Sequence, residues 1–214
     1  MSEICNELHL LFNDLERIQF PFDENKIPLN GIYVLFEVGE KAHGKDRIVR
    51  IGTHTGANQL RSRLRQHFVK ENKDRSIFRK NIGRALLHGK GDTFLSQWEL
   101  DLTSRENKEK YGHMVDLEKQ ASIEKAVTNH IQSQLSFVVF QVYSKEERLS
   151  LESKMISTVS LCKECKQSIN WLGLSSPKTK IRESGLWLVN ELYKEPLTKY
   201  DLEKLKKLCI TVIQ

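Results

Sequence analysis

The chain is poor in cysteine and proline, with four of each among 214 residues. Four cysteines cannot staple a chain of this length, which excludes a disulfide-built secreted scaffold. The absence of repeats and low-complexity tracts excludes solenoids and linker-type chains. No run approaches the roughly 18 apolar residues of a membrane span. The opening Met1-Ser2-Glu3-Ile4-Cys5 lacks the basic start, apolar run and small-residue cleavage site of a secretory leader, so the expectation is a cytoplasmic protein without a membrane partner. One CxxC is present, Cys162-Lys163-Glu164-Cys165. A zinc site normally needs a second pair of ligands at similar spacing and none is visible, so these read as reduced thiols on a loop.

What is present is a core and an uneven charge. Hydrophobic residues at 39% and charged ones at 29% exclude a disordered chain. The formal net charge is +6, but residues 41–90 hold fourteen lysines and arginines against Asp46, Glu71 and Asp74. That segment carries +11 and leaves −5 for the remainder. Such asymmetry fits a surface facing a polyanion, or equally a solvated basic face with no ligand.

Glu3 to Ile18 carries a helical stripe through Ile4, Leu8, Leu11, Leu15 and Ile18. Gly31 to Val38 and Arg47 to Ile51 are rich in β-branched residues and form a hairpin across a long basic turn. Asn58 is placed to cap a helix holding Leu60, Leu64 and Phe68. Residues 76–135 are mostly helical, 137–142 form a third strand, and Lys145 to Ser160 form a helix. An amphipathic stretch around Leu186 to Leu192 and a helix from about Thr198 close the chain. The fold class is α+β: a small, mostly antiparallel three-stranded sheet flanked by helices. The expected units are a helix and connecting loop over 1–30, a domain over 31–173 with a helical insertion at about 76–135, and a helical extension over 174–214.

Several side chains stand out. Tyr33 in the first strand reads as core or as a reactive phenol. Arg50 ends the second strand. With Leu60 at 0°, Arg63 falls at about 300° and His67 at about 340°, so they are i,i+4 neighbours at the edge of the buried stripe. A guanidinium fork suits phosphate oxygens and an imidazole can move a proton, although a surface arginine with a capping histidine would look the same. Glu152 is the sharpest signal. With Leu149 at 0° it falls at about 300°, between Val159 at about 280° and Ile156 at about 340°. A carboxylate aimed at a core must be paired, hydrogen-bonded or metal-bound. It is either a buried salt bridge or a lone ligand for a hard, mostly hydrated ion such as Mg²⁺.

In order, Gly31-Ile32-Tyr33, Arg50-Ile51-Gly52, an arginine helix, a glutamate helix and a late asparagine resemble the GIY-YIG nuclease superfamily over about residues 30–173. The Arg-x-x-x-His helix and Asn170-Trp171-Leu172-Gly173 resemble the restriction-endonuclease branch more than the repair nucleases. The resemblance implies a DNA endonuclease using one Mg²⁺ or Mn²⁺ on Glu152. It assigns Tyr33 to activation of the attacking water, Arg63 to the charge developing on the phosphorus, His67 to support and Asn170 to ordering the site. Arg50 stands where the second motif usually has tyrosine, so it would hold the water or the phosphate and not act as a base. Lys41, Lys45, Arg61, Arg65, Lys178, Lys180 and Arg182 are the expected backbone contacts to DNA. Cutting both strands would take a second copy of the chain. The alternatives are a DNA-binding module of the same fold that has lost catalysis, and a structural reading in which the basic segment docks a protein.

Overall fold

The computed structural model describes residues 2–210. The last four residues of the expected C-terminal extension, 211–214, and Met1 lie outside the described residues. Helix α1 (Ser2–Asn13) buries Cys5, Leu8, His9 and Phe12 on one stripe. It ends at Asn13, short of the expected Ile18. Ile18 instead opens a two-residue strand, β1 (Ile18–Gln19), which pairs with Phe137 and Ser136. The sheet therefore has four strands among the described residues, in the order β1, β4 (Leu135–Gln141), β2 (Gly31–Ala42), β3 (Lys45–Gly52), every neighbouring pair antiparallel. The fourth is a short edge added to the three expected.

Strand β2 (Gly31–Ala42) and β3 (Lys45–Gly52) run well into the segment expected to be a loop. The turn between them is only His43-Gly44. Both have positive φ (51° and 71°), as a two-residue hairpin turn of the primed type needs. Irregular register between Phe36 and Lys41 takes up the extra residues. Strand β4 (Leu135–Gln141) lies on the other side of β2.

The sheet is covered on both faces, which is why its strands read as unbroken apolar runs. Ile32, Val34, Ile48 and Phe140 face α1, α7 (Lys145–Leu161) and α9 (Lys199–Ile210). Tyr33, Leu35, Val49 and Phe137 face α2 (Leu60–Phe68), α3 (Ile77–Gly89) and α6 (Leu117–Gln134). The terminal helices share the first core with the central strands: Cys5, Leu8, Leu205 and Cys209 belong to it. Asn58 does not cap α2. It sits at φ 57° and its N–H donates to Asn30 Oδ1, while Gln59 occupies the cap without a side-chain bond.

The helical insertion contains α3, α4 (Leu95–Trp98), α5 (Arg105–Tyr111) and α6. The insertion and the motif strands use much of the basic charge internally. Arg47, Arg50, Lys73, Arg79, Lys80 and Arg84 are buried. Arg79 is paired with Glu124, Lys73 and Lys80 with Asp74, and Arg84 with Glu99. The +11 of residues 41–90 is thus in part the inside of a domain and overstates the basic surface. The stretch around Leu186 to Leu192 is irregular, following the short α8 (Thr179–Ser184). No helix among the described residues is long and apolar enough to cross a membrane.

Candidate active site

The two motif strands place their key residues side by side, because Tyr33 is in register with Gly52 and Leu35 with Arg50. Tyr33 has no exposed surface. Its hydroxyl lies 2.8 Å from His67 Nε2 and accepts a hydrogen bond from Arg50 Nε at 3.3 Å. His67 is fully buried, and its Nδ1 lies 2.8 Å from Ser76 Oγ. Ser76 Oγ also accepts the Arg79 N–H, which caps α3. Burial first, then Arg50, Arg63 and Arg79, holds the imidazole well below its ordinary 6.5. A neutral His67 accepts the Tyr33 proton at Nε2 and donates from Nδ1 to Ser76, which satisfies every partner in the chain.

The glycine of the second motif has a steric reason. A Cβ on Gly52 would lie 2.2 Å from the Tyr33 hydroxyl oxygen, and one on Gly31 would lie 2.2 Å from the Phe140 carbonyl oxygen. Gly52→Ala is expected to push Tyr33 off His67 and Arg50. It should lower stability by about 1–3 kcal/mol, read as a reduced urea midpoint at unchanged m value.

Arg50 is clamped. Its Nε donates to Tyr33, one terminal nitrogen donates to the Trp187 carbonyl at 2.6 Å, and the guanidinium lies 4.9 Å from the Phe78 ring centre. It opens onto a cleft of about 460 Å³ with Arg63, Asn81, Glu152, Trp187 and Asn190. Glu152, on α7, accepts the Thr53 backbone N–H at Oε1 (3.0 Å). No ion pair engages it among the described residues, so the buried salt bridge is not formed. Burial raises its carboxyl above the usual 4.5, with Glu191 adding to the rise and Arg50, the Thr53 N–H and Arg63 opposing it. Arg63 borders both this cleft and a second hollow of about 320 Å³ lined by Thr53, His54 and Gln59. His54 braces the loop: Nε2 accepts the Gly31 N–H and Nδ1 lies 2.6 Å from the Gly56 carbonyl oxygen.

Tyr33, Arg50, Arg63, His67 and Glu152 therefore come together. Asn170 does not join them. It is exposed and borders a different hollow, with Glu37, His130 and Trp171. The asparagines at the cleft are Asn81 and Asn190. Lys178 and Lys180 lie beside it, in a hollow sharing Ile77 and Val189 with the cleft. Lys41 and Lys45 sit at the turn end of the hairpin, away from the cleft, and Lys41 is paired with Asp46. Arg61 is bonded to the Ile27 carbonyl, Arg65 to Glu24, and Arg182 to the Ser176 carbonyl. Thr53 is a positioning residue that sequence pattern does not reveal, because Glu152 lies 99 residues away, whereas Ser76 carries the local signal of a helix cap.

Two hairpin strands of an α+β domain thus present a tyrosine–arginine pair to a helix arginine, a buried histidine and a helix glutamate. The GIY-YIG domain family model matches residues 3–213, and the chain belongs to that nuclease-type family. The match takes in α1, the helical insertion and α9 as well as the motif strands. Comparison with curated proteins and with solved structures gives no match.

Proposed function

We propose that this protein is a metal-dependent DNA endonuclease. The observation that carries the reading is Glu152, a half-buried carboxylate held by the Thr53 N–H and facing two arginines across a cleft, with no ion pair to satisfy it among the described residues. One protein carboxylate in a wet cleft fits a hard ion that keeps most of its waters, so Glu152 would hold Mg²⁺ or Mn²⁺. When bound, such an ion supplies Lewis-acid polarisation of the phosphate and the leaving oxygen.

The chain's own part is positioning and charge. Arg63 meets the negative charge that develops on the phosphate. Arg50, fixed by Tyr33 and the Trp187 carbonyl, presents its remaining donors to the phosphate or the attacking water. Tyr33 is shielded from solvent in this arrangement, so it acts through Arg50, and its phenol is oriented by the hydrogen bond that neutral His67 accepts at Nε2. Asn81 or Asn190 takes the ordering role that the resemblance gave to Asn170. Free thiols fit a reducing compartment such as the cytoplasm. The Arg63–His67 spacing supports a place nearer the restriction-endonuclease branch, in restriction or in defence against mobile elements and phage. A double-strand cut would take two copies.

Incubating the protein with supercoiled plasmid and Mg²⁺ tests the reading: nicked or linear product is expected with wild type. DNA binding without cutting, on several DNAs and with Mn²⁺ also tried, would favour the catalytically impaired binder instead, and would point to Arg50→Tyr as the reversion to make. Lys178 and Lys180 are expected to grip the backbone beside the cut. Replacing both with alanine should weaken binding alike on all sequences and reduce the slope of log K against log salt by about 2. An unchanged slope would remove them from the interface.

A further inference from the structure

The CxxC is not an isolated loop of thiols. Cys5, His9, His43 and Cys165 converge, with one ligand atom from each all within 4.8 Å of one another. They come from three distant parts of the chain: the first helix, the hairpin turn and the segment after α7. Cys5, His9 and Cys165 are buried. Cys165 Sγ lies 3.3 Å from Cys5 Sγ, 3.3 Å from His43 Nε2 and 3.9 Å from His9 Nε2. A tetrahedral zinc ion, with Zn–S about 2.3 Å and Zn–N about 2.0–2.1 Å, sets edges of about 3.8 Å between sulfurs and about 3.6 Å between sulfur and nitrogen. The three separations from Cys165 fall within about half an ångström of those edges, and all four ligand atoms lie within 4.8 Å of one another.

The surroundings are those of metal-binding imidazoles. Such histidines turn one ring nitrogen to the ion and give the other to a carbonyl or carboxylate. His9 Nδ1 lies 2.8 Å from the Cys5 carbonyl oxygen, and His43 Nδ1 lies 3.4 Å from Glu164 Oε2. In both rings Nε2 is the atom turned to Cys165, although His9 Nε2 is also 3.3 Å from the Ile48 N–H. Glu164 is itself bonded by Ser2.

We propose that Cys5, His9, His43 and Cys165 bind one structural zinc ion, clamping α1 and the loop after α7 onto the tip of the β2–β3 hairpin. Two thiolates and two imidazoles select a borderline-soft divalent ion over Mg²⁺. Four protein ligands leave no open position, so the site is structural. Cys162, 3.5 Å from His43 Nε2, stands at its rim. The site is separate from the cleft: it sits at the turn end of the hairpin, whereas Tyr33 and Arg50 are at the other end.

The test is metal analysis of the untagged full chain purified without chelator. About one zinc per chain is expected for wild type, below about a tenth of that for Cys165→Ser, and a full complement for Cys209→Ser, whose buried thiol lies outside the cluster. His43→Cys, which replaces one zinc ligand by another, should keep the metal where His43→Ala loses it. Should Cys165→Ser fail to fold, Co²⁺ titration of wild type decides: one equivalent giving thiolate-to-cobalt absorption supports the site. Wild-type protein with no more zinc than Cys165→Ser, a cobalt spectrum without thiolate bands, or a Cys5–Cys165 disulfide in place of metal would overturn it.

Discussion

Replacing Glu152 with glutamine is expected to abolish cleavage and, in the same protein, to make the chain slightly harder to unfold. Loss of the metal carboxylate removes several kcal/mol of transition-state stabilisation, a drop of at least about 10³-fold. The stability change has the opposite sign. Burial raises the Glu152 carboxyl above its ordinary 4.5, so the folded state holds the proton more tightly than the unfolded one. The stabilisation from that proton is complete below about 4.5 and is lost as pH rises through the raised value. At neutral pH the ionised side chain is therefore a net liability, and glutamine relieves it. A gain of about 1 kcal/mol would raise Tm by about 2–4 °C in a domain of this size. Excess Mg²⁺ should raise the Tm of wild type and leave Glu152→Gln unmoved. Because the raised carboxyl holds its proton more tightly, protons compete with the ion for Glu152, and the Mg²⁺ concentration needed for half-maximal cutting should rise as the pH is lowered. A stabilised, inactive protein is the signature of a site selected for function. A Glu152→Gln protein that unfolds more easily than wild type would mark the residue as structural.

The largest expected loss of stability lies in the insertion, at Arg79. This guanidinium has no exposed surface. It donates to Glu124 Oε2 from two nitrogens (2.8 and 3.1 Å), to the Glu124 carbonyl, to Thr128 Oγ1 and to the His67 carbonyl. The pair ties α3 to α6 and both to the end of α2 that carries His67. Arg79→Met leaves Glu124 buried without its cation, which costs about 3–5 kcal/mol. The urea midpoint should fall accordingly. The double variant Arg79→Met, Glu124→Leu should recover much of the loss, since two apolar groups leave no charge stranded. If the single variant loses less than about 1 kcal/mol, the pair is not what joins the insertion to the motif helices.

Much of the site was legible because its signals are local. The motif strands are dense in β-branched residues, Arg63 and His67 are one helical turn apart, and Glu152 interrupts an apolar arc. The structure brings Arg50, Arg63 and Glu152 to one cleft, with Tyr33 and His67 buried behind Arg50. Asn170 was assigned from the resemblance alone, and the CxxC loop between α7 and that residue carries it to a different hollow. The basic segment misled for a related reason: the partners of Arg79 and Arg84, Glu124 and Glu99, are 45 and 15 residues away, and a charge count cannot see a partner that folding supplies. The cluster of Cys5, His9, His43 and Cys165 spans 160 residues. Its local traces are the CxxC that contains Cys165 and the i,i+4 spacing of Cys5 and His9 on one helix face. Strand β1 is only two residues long and finds its partner in β4, more than a hundred residues on, so no pattern could announce it.

The proposed zinc site bears on how the central claim is tested, because a chelator strips structural zinc as well as a catalytic ion. The most direct measurement is conversion of supercoiled plasmid in excess Mg²⁺ by wild type and by Glu152→Gln at equal DNA occupancy. Cutting by wild type and none by a folded, DNA-bound Glu152→Gln is the predicted result. Equal cutting by both proteins would contradict a catalytic metal on Glu152.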